Sequence, residues 1–197
     1  MKLKKLAINV KNFSINRIIE IIGITIVITG ILLLASLISF SPEDPNFIFP
    51  NNADIKNILG FQGSFIADIF FQSFGLMSLL IPFSLIASGI NIILNKKVFL
   101  IIENIFYTIL YSLLGSLFFS FYYPTSFKLY INGQGGFIGK YLETTFLNSI
   151  ININPQIFYY IFVILILFLF LISVHFKINS FYKIIKKIFK FLFFKKA

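Results

Sequence analysis

Long uncharged apolar stretches alternate with short polar segments along the chain, and their lengths predict membrane-spanning helices. Crossing a hydrocarbon core of roughly 30 Å takes about 20 apolar residues in helical form. The first stretch, Ile21 to Phe40, follows Arg17 and Glu20 and carries no charge, which predicts a span over about residues 19–41. It is too long for the h-region of a signal peptide, and Pro42 directly follows the Ser39–Ser41 pair where cleavage would be sought. The helix is retained. A polar segment from Pro42 to Gly63 comes next, with acidic residues set between prolines at 41–45 and then Pro50, Asn51, Asn52 and Asp54. The residue before each proline is pushed out of helical geometry, so this segment reads as a loop.

A second uncharged stretch, Ile69 to Asn95, predicts a span over about 68–95. Pro82 lies inside it and is expected to kink it by removing a backbone donor. Lys96 and Lys97 leave room only for a tight hairpin into a third span at about 100–123. Another loop follows, with Pro124, Lys128, the run Asn132-Gly-Gln-Gly-Gly136, Gly139 and Lys140. The uncharged run from Thr144 to Phe176 is too long for one span and is divided by Asn148, Asn152, Asn154 and Pro155. It predicts a short interfacial or re-entrant helix at about 138–150 and a fourth span at about 156–176.

Composition narrows the class to one. Hydrophobic residues make up 58% of the 197-residue chain and charged residues 12%, against roughly 45–50% and about 25% in soluble domains. Too few polar side chains remain to cover a soluble surface. With no cysteine, disulfides, thiolate metal sites and cysteine nucleophiles are excluded.

Charge then sets orientation. The chain's net charge of +10 could suggest nucleic acid, but the basic residues sit beside the apolar runs and at the two ends. Lys2, Lys4, Lys5, Lys11 and Arg17, then Lys96 and Lys97, then seven lysines from Lys177 to Lys196 make 5 + 2 + 7 = 14 on one side. Lys56, Lys128 and Lys140 make three on the other. By the positive-inside rule both termini are expected in the cytoplasm and the two longer loops outside. In the tail, Lys183, Lys186, Lys187 and Lys190 fall within an arc of about 100°, opposite Phe181, Ile184, Ile185, Ile188 and Leu192. This predicts a basic amphipathic helix on an anionic leaflet. The fold class expected is therefore an all-α membrane protein of four transmembrane helices.

Helices associate in lipid where small residues let backbones approach. Thr108, Ser112, Ser116 and Ser120 recur at four-residue intervals along one face of the third span, with Gly115 beside them. The first span offers Gly23, Thr25, Thr29, Gly30 and Ser36, and the second Ser84, Ala87, Ser88, Gly89 and Asn91. Ile157 to Ile172 contains none. Spans one to three are expected to pack closely, with the fourth at the periphery.

No catalytic, cofactor or metal site is recognisable. Glu20, Asp68 and Glu103 fall at span boundaries, within reach of water or a lysine. The single histidine, His175, lacks the further ligands a metal needs. The glycine-rich stretch Gly133 to Gly139 has Ile138 where a dinucleotide fingerprint wants glycine. A Walker loop closing on Lys140 would want glycine at Gln134 and Ser or Thr at Tyr141.

Three motifs carry a resemblance. The first span ends in Ser39-Phe-Ser-Pro-Glu-Asp-Pro45. The second is preceded by Asn57-Ile-Leu-Gly-Phe-Gln-Gly-Ser-Phe-Ile-Ala-Asp68 and opens with Phe71-Gln-Ser-Phe-Gly75. Gly135-Gly136-Phe-Ile-Gly139 comes before the last span. In this order and placement, over roughly residues 15–176, the chain resembles the N-terminal four-helix membrane domain of the FtsK/SpoIIIE family of bacterial DNA translocases. It departs in having Asn46 and Phe47 where members often carry tryptophan, and in lacking the linker and ATP-driven motor.

The resemblance implies that Pro42, Asp44, Pro45, Asn57, Gly60, Gly63, Asp68, Gly135, Gly136 and Gly139 are the family-motif positions. It implies a membrane domain over 1–176 and a cytoplasmic tail over 177–197 that begins a linker, with no motor and so no enzyme in this chain. It further implies an anchor that holds a translocase at the septal inner membrane for division and chromosome segregation. Membrane lipid, self-association and other division proteins are the expected partners. Neither nucleic acid nor a small-molecule substrate is expected to bind this chain directly. The alternative is a small transporter or channel, which needs polar or broken helices meeting near the midplane; Pro82 and Asn91 are its only support.

Overall fold

The computed structural model describes residues 2–45, 54–124 and 132–175. The amphipathic helix expected in the tail lies outside the described residues, as do Lys128 and parts of both long loops. Every regular element among the described residues is helical.

Helix α1 runs unbroken from Lys2 to Ile38. It stops where the Ser39 hydroxyl turns back to the Ala35 carbonyl at 2.7 Å and Pro42 forbids continuation. The second span is longer than its charge-free stretch implies and is built in two pieces. Helix α2, Gly60–Phe74, passes through a 3-10 segment, Gly75–Leu80, into α3, Ile81–Asn95. The break expected at Pro82 falls instead at Gly75, whose φ of +60° ends the α-helix. Pro82 sits in the first turn of α3, where its missing N–H has no intrahelical partner to lose.

Lys96 closes α3 in the left-handed region with φ +54°, and α4, Leu100–Tyr122, returns across. Two short helices, not one, follow: α5, Gly136–Glu143, and α6, Phe146–Ile153. They separate because Thr145 is extended and its hydroxyl accepts the Leu147 N–H at 3.3 Å, starting a new helix. Asn154 caps α7, Pro155–Ser173, through the Ile157 N–H at 3.2 Å, with proline at the first helical position. Phe13–Ile38, Gly60–Asn95, Leu100–Tyr122 and Pro155–Ser173 are each long and apolar enough to cross a membrane.

Packing follows two rules. Helix α1 lies along α3 where Gly23 meets Gly89; a Cβ added at Gly89 would stand 2.6 Å from the Gly23 carbonyl oxygen. Nothing larger than hydrogen fits. Helix α4 does not share this close crossing. Its main neighbours are α7 and α5, with α3 third. The fourth span is the least buried of the four, as its peripheral position requires, yet it docks on α4 through one face. One face of α7 carries Ile157, Ile161, Ile164, Leu167, Phe168 and Leu171 exposed, but Phe162 and Ile166 are buried. Phe118 of α4 packs on Tyr159 and Phe162, with ring centroids 5.2 and 6.4 Å away, and Tyr111 meets Phe170 edge-on at 5.6 Å. Large rings fill here the gap that small residues close elsewhere.

Candidate functional site

The polar positions named by motif gather at one end of the bundle, around the two long loops. A clamp there joins the end of α1 to the start of α2. The buried Asp44 carboxylate accepts the backbone N–H groups of Lys56 and Asn57, each at 2.9 Å. Asn57, also buried, donates to the Ser36 carbonyl at 2.8 Å and accepts the Leu59 N–H at 3.1 Å. Ser36 in turn donates to the Gly63 carbonyl at 2.5 Å, and Ser64 donates to Pro45 at 3.3 Å. Gly63 is tucked against the Asn57 side chain with no room for a Cβ. Outside this knot Glu43 pairs with Lys56 at 2.5 Å, which holds the Glu43 carboxyl below the usual carboxylate range and the Lys56 ammonium above its own.

A second feature at the same end is a notch in the broken second span. The Gln134 carbonyl accepts the Leu76 N–H at 2.9 Å, across the 3-10 segment. Gly136, with φ +65°, lies where a Cβ would stand 2.6 Å from both Gly75 N and the Ser73 carbonyl oxygen. Gly135 and Gly139, four residues apart, seat on Ser116 and Ser120 of α4, also four apart; a Cβ at either would run into the Ser116 carbonyl oxygen. All three glycines of the Gly-Gly-x-x-Gly motif are thus points of backbone approach. Ser116 donates to the Phe74 carbonyl at 3.0 Å, and Ser120 to the Glu143 carboxylate at 2.5 Å. The serine register of α4 thus serves this notch, reaching the second span through Phe74 and α5 through Glu143. Ser112 is buried with its hydroxyl unpartnered among the described residues, and Thr108 donates to Asn104 at 3.3 Å.

Asp68 is placed differently from its expected boundary position. Helix α2 starts at Gly60, which carries Asp68 about two turns inward. It is buried, with one carboxylate oxygen unpartnered. Gly60 itself, with φ +66°, meets no neighbouring atom within Cβ reach, and Pro42 and Pro45 flank the clamp.

At the opposite end, Glu20 of α1 bridges Arg17 and Lys96, tying α1 to the tight turn after α3. Glu103 is exposed. Nearby, a buried polar cluster links three spans: Ser84 of α3 bonds Tyr111 at 2.9 Å and Ser173 of α7 at 2.7 Å, and Asn104 of α4 donates to the Ser173 carbonyl. Sequence reasoning missed Asn104, Tyr111, Ser173 and Gln134. Asn104 was within reach, since it continues the four-residue register of Thr108, Ser112, Ser116 and Ser120 backwards by one step. Among the described residues no group of three or more His, Asp or Glu side chains could hold a metal.

These features stabilise helix ends and crossings. Four apolar spans, two loop regions hydrogen-bonded to helix ends and a network of small-residue contacts define a multi-pass, all-helical membrane protein. The family model for the 4TM region of DNA translocase FtsK/SpoIIIE matches residues 16–186, and the chain belongs to that family. It is 32% identical over 82 residues to a DNA translocase FtsK from Rickettsia bellii (strain RML369-C), and 29% identical over 82 residues to one from Rickettsia prowazekii (strain Madrid E). Each alignment covers 40% of this chain and 11% of the relative, so the chain spans only a small part of their length. No solved structure matches it.

Proposed function

We propose that this chain is the membrane anchor of an FtsK-like DNA translocase, holding it at the division septum during cell division and chromosome segregation. The observation that carries this reading is the family match over 16–186 laid on four apolar spans. Tethering acts through effective concentration: fixing a motor to the closing septum makes its encounter with DNA there intramolecular. The asymmetry of 14 basic residues against three supports an inner-membrane topology with both termini in the cytoplasm. The Asp44 clamp and the glycine notch then face outward, as rigid loop surfaces for other division proteins or for a second copy of the chain.

The test is localisation in dividing cells of the chain fused to a fluorescent protein. Enrichment at midcell supports the anchor; uniform distribution around the envelope overturns septal tethering. In the same cells, cysteines placed singly at Asn132 and Asn179 report topology. Asn132 should react with an impermeant thiol reagent and Asn179 should not; the reverse pattern overturns the orientation.

A further inference from the structure

Helix α6 belongs to neither a span nor the clamp, and its surface divides into three sectors. At about 100° per residue, Phe146, Ile150 and Ile153 share one arc of about 60°. Phe146 is 72% exposed and Ile153 79%, with Ile150 also open. Leu147 and Ile151 lie roughly 120° round; Ile151 is buried, 2% exposed, and Leu147 packs on the α4–α7 core. The remaining third carries Asn148, Ser149 and Asn152, with Asn152 bonded to Asn148 at 2.8 Å. One sector therefore meets the protein, one is polar, and one is apolar and uncovered.

We infer that α6 lies in the membrane interface, with Phe146, Ile150 and Ile153 inserted among the lipids of the leaflet at the clamp end. Three observations select lipid as the occupant. Helix α6 leads through Asn154 straight into Pro155, the first residue of a membrane span, so it starts at bilayer level. Ile157, in the first turn of that span, is exposed as well. The sector holds only large side chains, without the small residues that let a second transmembrane helix come close. A helix with one apolar and one polar sector and no charge rests at the boundary between headgroups and acyl chains. The inference depends on α7 crossing the bilayer and is independent of any motor or septum.

The chain contains no tryptophan, so single-tryptophan variants of the full chain in phospholipid vesicles give a clean readout. Phe146→Trp and Ile153→Trp should be quenched by lipids brominated near the headgroup and shielded from aqueous acrylamide. Asn148→Trp should show the opposite pattern, with a red-shifted emission. Circular dichroism verifies that each variant stays helical, and Ile150→Trp replaces either variant that does not. Equal acrylamide access at 148 and 153 would place the helix in water and overturn the inference. Shielding of 146 and 153 from both quenchers would show a protein partner or second copy on that face, and overturns it equally.

Discussion

Helix α4 has two faces built on opposite principles. Toward α5 and the notch it presents Ser116 and Ser120, and Gly135 and Gly139 rest on them so closely that no Cβ fits. Toward α7 it presents Tyr111 and Phe118, which meet Phe170, Tyr159 and Phe162 through their rings. In water both faces would gain from leaving solvent. In lipid that gain vanishes, and what remains is dispersion and hydrogen bonding. The serine–glycine face gains these by bringing backbones together, the aromatic face by filling space between backbones held apart. The first should therefore fail when volume is added, the second when volume is removed.

The largest effect expected is from Gly139→Leu. Its side chain has nowhere to go but the Ser116 carbonyl, and overpacking of a rigid contact costs about 3 kcal/mol or more. Folding in detergent, followed by resistance to proteolysis, should be lost or sharply reduced. Unchanged stability would show that α5 does not dock in the notch. Next comes Phe118→Ala on the other face. Phenylalanine truncation costs about 3–5 kcal/mol in a water-soluble core, and the packing part that survives in lipid is expected near 2 kcal/mol. Swapping the rules sharpens the contrast: Phe118→Leu should be mild, while Ser116→Leu should be as damaging as Gly139→Leu.

Ser173→Ala should cost less, about 0.6 kcal/mol, the average for side-chain hydrogen bonds inside a membrane protein. Ser173→Leu should cost clearly more, because Ser173 is fully buried against Ser84. A Leu variant as stable as the Ala variant would return the end of α7 to the lipid-facing surface. The smallest effect belongs to Glu43 and Lys56, both solvent-exposed. Glu43's lowered pKa means its contribution is present above the ordinary carboxylate range and lost as pH falls through the lowered value. Lys56's raised pKa means its share is present below the ordinary lysine value and lost as pH rises through the raised one. Stability measured against pH should show a flat neutral plateau that Glu43→Gln barely moves; a large drop would make the pair part of the clamp.

Much of the architecture was legible because hydropathy and span length are local properties. Four apolar runs imply four crossings, and among the described residues four helical stretches are able to make them. Contacts between distant residues left weaker traces. Ser173 meets Ser84 across 89 positions, and nothing near either residue announces the other. Asp68 was misplaced because the start of α2 depends on Asn57, whose side chain organises the turn before Gly60 only once Asp44 and Ser36 hold it. The glycine motif was visible as a pattern, but its partner, the kink at Gly75, was hidden behind the more conspicuous Pro82. The tight Gly23–Gly89 crossing was foreshadowed by small residues on both spans, while the aromatic seam of α4 and α7 was masked by the fourth span's lack of them.

Helix α1 has a mechanical consequence. Its 37 residues make a rod about 55 Å long, against a hydrocarbon slab of roughly 30 Å. Nearly half of the rod, about 25 Å, must therefore stand clear of the slab or lean steeply within it. At one end it is bolted by the Asp44 knot, and partway along it is gripped at Gly23, so its free length behaves as a stiff cantilever. Load applied to the Lys2 end arrives at Gly89 as torque, whereas a flexible leader would dissipate it as slack.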